Sequence, residues 1–139
     1  MVKDFIQYTE ALELKQLGFD EDCFTFYQVE YRENSPIMVD DNDQYLSTGF
    51  RTCKNSEIPS HYISCPTFSQ AFRWFRENHN LRCQINYIGG LINETTWWDI
   101  SIIGHYNTDP KEWEMKYQPY EEAELECLKK LIEIANDKQ

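Results

Sequence analysis

Three histidines and five cysteines could carry acid–base, nucleophilic or metal chemistry in this chain. Two His–Cys pairs share one spacing, His61 with Cys65 and His79 with Cys83, and Cys53 lies nearby in sequence. A structural zinc site needs four nitrogen or sulfur ligands in tetrahedral reach, and this spacing is not a usual zinc signature. Cys83 also stands on the apolar side of an alternating segment, where a small hydrophobic residue is expected. We therefore predict no metal and no other cofactor.

The histidines also raise the question of catalysis. His61, His79 and His105 are the only side chains whose ordinary pKa would suit a base near neutral pH. No serine or cysteine lies in a nucleophile-elbow motif, and Gly89-Gly90 alone is typical of a hairpin turn, not of a phosphate loop. A Cys–His pair assembled in space is not visible in one sequence, so an enzyme stays an alternative, and the pattern favours a protein without catalysis.

A third polar cluster consists of Asp40, Asp41 and Asp43. It resembles the beginning of a calcium loop, but that pattern also needs a central glycine and a distant glutamate. Gln44-Tyr45-Leu46 follows here instead. The cluster therefore predicts a solvated turn.

The sequence Trp97-Trp98-Asp99 is the strongest sign of a binding surface. Neighbouring residues of a strand face opposite sides, so Trp97 lies on the face of Asp99 if Trp98 enters the core. An indole there either packs under a loop such as the one bearing Trp113, or stays exposed as a binding anchor. The predicted ligand or partner surface consists of Trp97, Asp99, Tyr106 and Trp113.

A small flat ligand is an alternative occupant of such a surface. Aromatic rings stack on a base or a similar molecule, and Trp97, Trp113 and either Tyr87 or Tyr106 could supply them. Arg73 or Arg82 could then neutralise a phosphate.

The elements that position these residues are clearest around Pro66–Glu77. Thr67 with Gln70 predicts a capping box, and an apolar face follows at Phe68, Ala71, Phe72 and Phe75. The runs 81–88 and 96–103 alternate apolar and polar residues, which predicts an antiparallel hairpin.

The remaining segments complete a mixed fold. We predict helices over 4–17, ended by Gly18, and over 120–135, with Tyr120, Ala123, Cys127, Leu128, Leu131 and Ala135 on the buried face of the second. Strands are predicted over 23–32 and 45–53, an irregular connection over 54–66 and a polar loop over 107–119. The fold class is α+β, one domain over 1–139 with the order α-β-β-α-β-β-α, antiparallel hairpins and helices packed on one face.

Composition limits the possible partners. The chain has 139 residues, a net charge of −11 and 15% aromatic residues. Binding to a phosphate backbone needs clustered Lys and Arg, so we predict no direct nucleic-acid binding. An acidic surface serves solubility or attracts a basic partner.

The cysteines and the first residues of the chain indicate the cellular compartment. The number of cysteines is odd and no pair has CxxC spacing, which favours free, mostly buried thiols in a reducing cytoplasm. Residues 1–5 show no apolar signal region, and no run approaches the length of a membrane span. We therefore expect a cytoplasmic protein without a membrane partner.

Three stretches of the chain carry a resemblance to known proteins and stand in the order that those proteins have: Gly18–Phe24, Pro66–Glu77 and Tyr120–Leu128. With them the chain resembles a group of uncharacterised small acidic proteins common in phages and prophages of gut Bacteroidales. The group usually has Pro where Asp22 stands. The resemblance implies a phage-encoded accessory protein in the cytoplasm of a bacterial host cell, and it implies no particular activity.

Together these patterns give one expected function and two alternatives. The expected function is a non-enzymatic accessory protein that binds a host protein as an inhibitor, as an anti-defence factor or in host takeover. The first alternative is a protein that binds a small, nucleotide-like ligand through exposed aromatic residues. The second is a small enzyme with a Cys/His site.

Overall fold

The computed structural model describes residues 4–28, 52, 54–60, 62–89, 96–104, 107–117 and 119–138. Its helices are α1 (Tyr8–Gln16), α2 (Phe68–Asn78) and α3 (Tyr120–Asp137), and a 3₁₀ turn covers Asn55–Glu57. Its strands are β1 (Thr25–Gln28), β2 (Tyr62–Cys65), β3 (Leu81–Gly89), β4 (Thr96–Gly104) and β5 (Asn107–Tyr117). The α+β class and the predicted order of elements are confirmed, with β5 as an additional strand.

Contacts group the chain into two compact units, residues 1–70 and 71–139, and the boundary falls inside α2. The first unit contains a two-stranded antiparallel sheet, β1 with β2, and the second a three-stranded antiparallel sheet in the order β3-β4-β5. One domain over 1–139 stays a prediction.

In the first unit, α1 ends as predicted at Gly18, whose φ of 100° suits glycine. The Gly18 amide donates to the Lys15 carbonyl at 3.1 Å and the Phe19 amide to the Leu14 carbonyl at 2.9 Å. These two bonds form a Schellman motif, which satisfies carbonyls that the helix end leaves without partners. Phe19 is buried, and so are Leu14 in α1 and Leu17 directly after it. The helix begins at Tyr8, so residues 4–7 of the predicted range 4–17 do not belong to it.

Strand β2 corrects the prediction of an irregular connection over 54–66. Thr25 of β1 pairs with Cys65 and Gln28 with Tyr62, while Ile63 and Cys65 are buried. Pro59 and Pro66 flank this short strand without interrupting it, so the prolines that indicated a loop mark its ends. The strand predicted over 45–53 and the turn at Asp40, Asp41 and Asp43 lie outside the described residues.

The first unit is held together by hydrogen bonds in its core. The buried Tyr27 hydroxyl donates to the Ile6 carbonyl at 2.5 Å, and the Cys65 thiol lies 3.3 Å from the same oxygen. Thr25 Oγ1 donates to the Cys65 carbonyl at 2.8 Å. Burial is the main cause that raises the pKa of the Tyr27 hydroxyl, so Tyr27 stays a donor at neutral pH.

We expect Tyr27→Phe to lower the free energy of unfolding by about 1–3 kcal/mol, because the buried Ile6 carbonyl would keep only a weak thiol donor. Chemical denaturation monitored by circular dichroism measures this cost. Tyr87→Phe is the matched control, since Tyr87 is 62% exposed and its hydroxyl can bond to water. An equal cost for both variants would contradict the role given to Tyr27.

Helix α2 begins with one of the two hydrogen bonds of the predicted capping box. The Gln70 amide donates to Thr67 Oγ1 at 3.1 Å. The Gln70 side chain, however, donates to the Asp22 carbonyl at 2.8 Å and does not return to Thr67. It thereby ties the cap to the turn before β1.

In the second unit, the predicted hairpin is confirmed: β3 and β4 pair antiparallel from Leu81 with Gly104 to Gly89 with Thr96. Helix α3 packs against all three strands of this sheet. Its buried residues are Ala123, Cys127, Leu128, Leu131, Ile132 and Ala135. Tyr120, predicted on this buried face, is 41% exposed, because it stands at the first residue of the helix.

Strand β5 corrects the predicted polar loop over 107–119. It pairs with β4, with irregularities in the register, and forms an edge of the sheet. Pro110 and several charged residues obscured the strand pattern in the sequence. Proline and charge are tolerated on an edge strand, because one row of its backbone groups needs no partner strand.

The structure joins Cys83 of β3 to Cys127 of α3 as a disulfide, with Cα atoms 6.4 Å apart. That separation lies in the usual range for disulfides. Cys23 and Cys65 are free and buried. The prediction of free thiols is therefore wrong for Cys83 and Cys127 and confirmed for Cys23 and Cys65. Cys53 lies outside the described residues.

Candidate functional site

Three aromatic rings stand in a row at one end of the β3-β4 pair. Tyr87 of β3 is directly opposite Trp98 of β4. Their ring centroids are 5.4 Å apart with planes at 71°, and Trp98 meets Tyr120 of α3 at 5.0 Å and 78°. Both contacts are edge-to-face, an arrangement that aromatic pairs prefer. We call Tyr87, Trp98 and Tyr120 the aromatic row.

The aromatic row is partly open to solvent. Tyr87 is 62% exposed, Tyr120 is 41% exposed, and Trp98 is half-buried between them. Farther along the same strand face, Leu81 is buried, as are Ile100 and Ile102 on β4. The row therefore continues the core of the second unit to the surface. Clustered exposed rings next to a core are a common mark of a binding surface.

The charged residues that follow Tyr120 in the first turns of α3 are negative. Tyr120 begins α3, and Glu121, Glu122 and Glu124 follow within the first turns. Burial, and secondly the negative charge of Glu124, raise the pKa of the Tyr120 hydroxyl. The lysines Lys129 and Lys130 lie farther along α3, each 3.6 Å from a glutamate. Among the described residues, the charge shown to act on the row is therefore the negative one of Glu124.

The opposite face of the β3-β4 pair carries the predicted site residue Asp99. Asn86, its partner across the strands, donates to Ser101 Oγ at 3.2 Å. Asp99 Oδ1 is buried without a hydrogen-bond partner among the described residues. Asp99 is half-buried, so its carboxylate is partly exposed on this face.

The other predicted site residues are described in part or not at all. The backbone of Trp97 pairs with Ile88, and that of Trp113 with Ile100. Their side chains, and all of Tyr106, lie outside the described residues. The predicted site of Trp97, Asp99, Tyr106 and Trp113 therefore stays a prediction.

Sequence reasoning missed most of the aromatic row. The sequence pattern predicts Tyr120 on a buried face, leaves the burial of Trp98 open, and offers Tyr87 only as a stacking residue for a small ligand. One signal was present: Tyr87 and Trp98 lie near the hairpin ends of their strands, and Tyr120 is at a helix start. Such positions lie at the edge of a packed layer.

The two His–Cys pairs noted in the sequence are described in part, and the residues that the structure describes have other contacts. Cys83 is bonded to Cys127. Burial is the main cause that raises the pKa of the Cys23 and Cys65 thiols to about 12, which disfavours the nucleophilic thiolate. His61, His105 and Cys53 lie outside the described residues. Across the described ranges, no group of three or more His, Cys, Asp or Glu residues could hold a metal ion.

His79 lies against two aromatic rings. Its ring centroid is 4.8 Å from that of Trp74 and 5.6 Å from that of Phe75. Burial, and secondly the charge of Lys138, lower the pKa of His79. The contacts are those of a packed side chain at the end of α2.

We expect an NMR titration to give His79 a pKa below its ordinary value of 6.5. The unfolded chain then binds a proton more readily than the folded one, so His79 favours folding above pH 6.5 and opposes it as the pH falls. His79→Gln assigns the resonance and should reduce the loss of stability on acidification. A measured pKa at or above the ordinary value would contradict the packing described here.

The described helices include none that is long and apolar enough to span a membrane. Comparison with protein-family models, curated proteins and solved structures found no match for this chain. The candidate site therefore rests on the geometry of the aromatic row.

Proposed function

We propose that this chain is a non-enzymatic accessory protein that binds a positively charged protein through the aromatic row. The observation that carries this proposal is the placement of three partly exposed rings beside the glutamate-rich start of α3. The resemblance to phage and prophage proteins suggests that the partner is a host protein, bound in the bacterial cytoplasm to inhibit a defence or to redirect a process.

Aromatic anchors supply much of the binding energy in protein interfaces. Tyr and Trp bury a large area, and they have few rotatable bonds to immobilise on binding. The contact of Trp98 with both Tyr87 and Tyr120 limits the motion of the rings before a partner arrives. A preformed anchor loses less entropy on association.

The charge of the chain supports a basic partner. A net charge of −11 speeds the encounter with a positive surface and disfavours acidic ones. The glutamates at the start of α3 bring this attraction to the anchor itself. Binding should therefore weaken as salt is added.

A nucleotide-like ligand fits the aromatic row less well. Tyr87 offers an exposed ring on which a base could stack. The phosphates of such a ligand would, however, meet the negative charges of Glu121, Glu122 and Glu124. The same charges that attract a basic protein would repel the nucleotide.

Capture of a partner from a Bacteroidales lysate tests the proposal. We expect the tagged wild-type chain to retain a basic protein in stoichiometric amount at low salt and less of it at moderate salt. Tyr87→Ala/Tyr120→Ala should lose that protein, because two of the three anchor rings are removed. Mass spectrometry and densitometry of the captured fraction provide the readout.

Ile103→Ala is the matched control, since Ile103 is 39% exposed in the same sheet but outside the aromatic row. It should capture the partner as the wild type does. Capture of no stoichiometric partner, or equal capture by the double variant, would refute binding through the row.

A further inference from the structure

The ring geometry of the aromatic row bears on the kind of group that it could bind. Trp98 meets Tyr87 at 71° and Tyr120 at 78°, so each tyrosine forms a corner with the indole. The ring centroids of Tyr87 and Trp98 are 5.4 Å apart, and those of Trp98 and Tyr120 are 5.0 Å apart. A cation is attracted by a ring face within about 6 Å of its centroid. One cation at a corner is therefore within reach of two rings.

We infer that the aromatic row binds the ammonium group of a lysine side chain presented by the partner. This inference rests on the proposed function and names the recognised group. Glu121, Glu122 and Glu124 follow Tyr120 in the first turns of α3, and the charge of Glu124 acts on Tyr120 itself. A positive group gains from the ring faces and from these carboxylates together. The aliphatic part of a lysine side chain can pack on the exposed part of the Tyr87 ring.

Three capped pentapeptides of the form Gly-Gly-X-Gly-Gly test the inference, with X as lysine, trimethyllysine or norleucine. The norleucine peptide has the apolar chain without the charge. NMR titration follows the Trp98 indole N–H and the ring resonances of Tyr87 and Tyr120. We expect saturable shifts with the lysine and trimethyllysine peptides and much smaller ones with norleucine.

Substitutions locate the binding in the row. Trp98→Leu should weaken binding of the lysine peptide roughly 2- to 30-fold, the range that corresponds to a lost cation–π contact. Tyr87→Leu should weaken binding of the lysine peptide as well. Because Tyr87 is 62% exposed, this substitution should disturb the fold less than Trp98→Leu does. Glu124→Gln should weaken the two cationic peptides and leave the norleucine peptide unchanged. Ile103→Ala should change none of the three.

Equal shifts with lysine and norleucine would show an apolar contact and overturn the inference. Absence of shifts with all three peptides would overturn it as well. Both results are distinguishable from failure of the proposed function, because the lysate capture and its dependence on Tyr87 and Tyr120 are measured separately.

Discussion

Leu131→Ala is expected to lower the free energy of unfolding by about 2–5 kcal/mol, since the change leaves a cavity in a packed site. Leu131 is fully buried in α3, which packs on the β3-β4-β5 sheet. Domains of this size are stable by about 5–15 kcal/mol, so the variant should melt far lower or fail to fold. Thermal and urea unfolding followed by circular dichroism measure the effect.

Asn136→Ala is the control in the same helix, because Asn136 is exposed. It should change the free energy of unfolding by less than about 0.5 kcal/mol. Similar melting temperatures for Leu131→Ala and Asn136→Ala would show that α3 does not pack through the face described.

Reduction of the Cys83–Cys127 disulfide is expected to cost about 2–5 kcal/mol of stability. The bond joins β3 to α3 across a sequence separation of 44 residues, and it restricts the unfolded chain. Urea unfolding with and without a thiol reductant gives the difference. The expected cytoplasmic location makes the measurement informative, because most thiols in that compartment are kept reduced.

Cys83→Ala/Cys127→Ala serves as the control for the reductant, which should leave the stability of this variant unchanged. The buried thiols Cys23 and Cys65 are present in both proteins, so they cannot account for a difference. Alkylation of Cys83 and Cys127 in freshly isolated, unreduced protein would contradict the disulfide.

Local patterns predicted those elements that carry a long, regular signal. The alternation over 81–88 and 96–103 identified β3 and β4, and the apolar face of 120–135 identified most of α3. Strands β2 and β5 were missed for two different reasons. β2 has only four residues between prolines, and β5 combines Pro110 with charges that an edge strand tolerates.

The candidate site was less predictable because it depends on how elements pack. Tyr120 has the spacing of a buried residue in α3, yet its position at the helix start leaves it 41% exposed. Cys83 and Cys127 were each assigned to apolar faces, but no sequence pattern shows that these faces meet. The aromatic row likewise exists only after α3 is placed on β4.

Oxidative footprinting of the captured complex tests binding through the aromatic row most directly, because hydroxyl radicals modify exposed aromatic rings and a bound partner shields them. We predict that the partner strongly reduces oxidation of Tyr87, Trp98 and Tyr120 and leaves oxidation of the exposed Phe24 unchanged. Unchanged oxidation of the three rings, with protection elsewhere on the chain, would contradict the proposed binding surface.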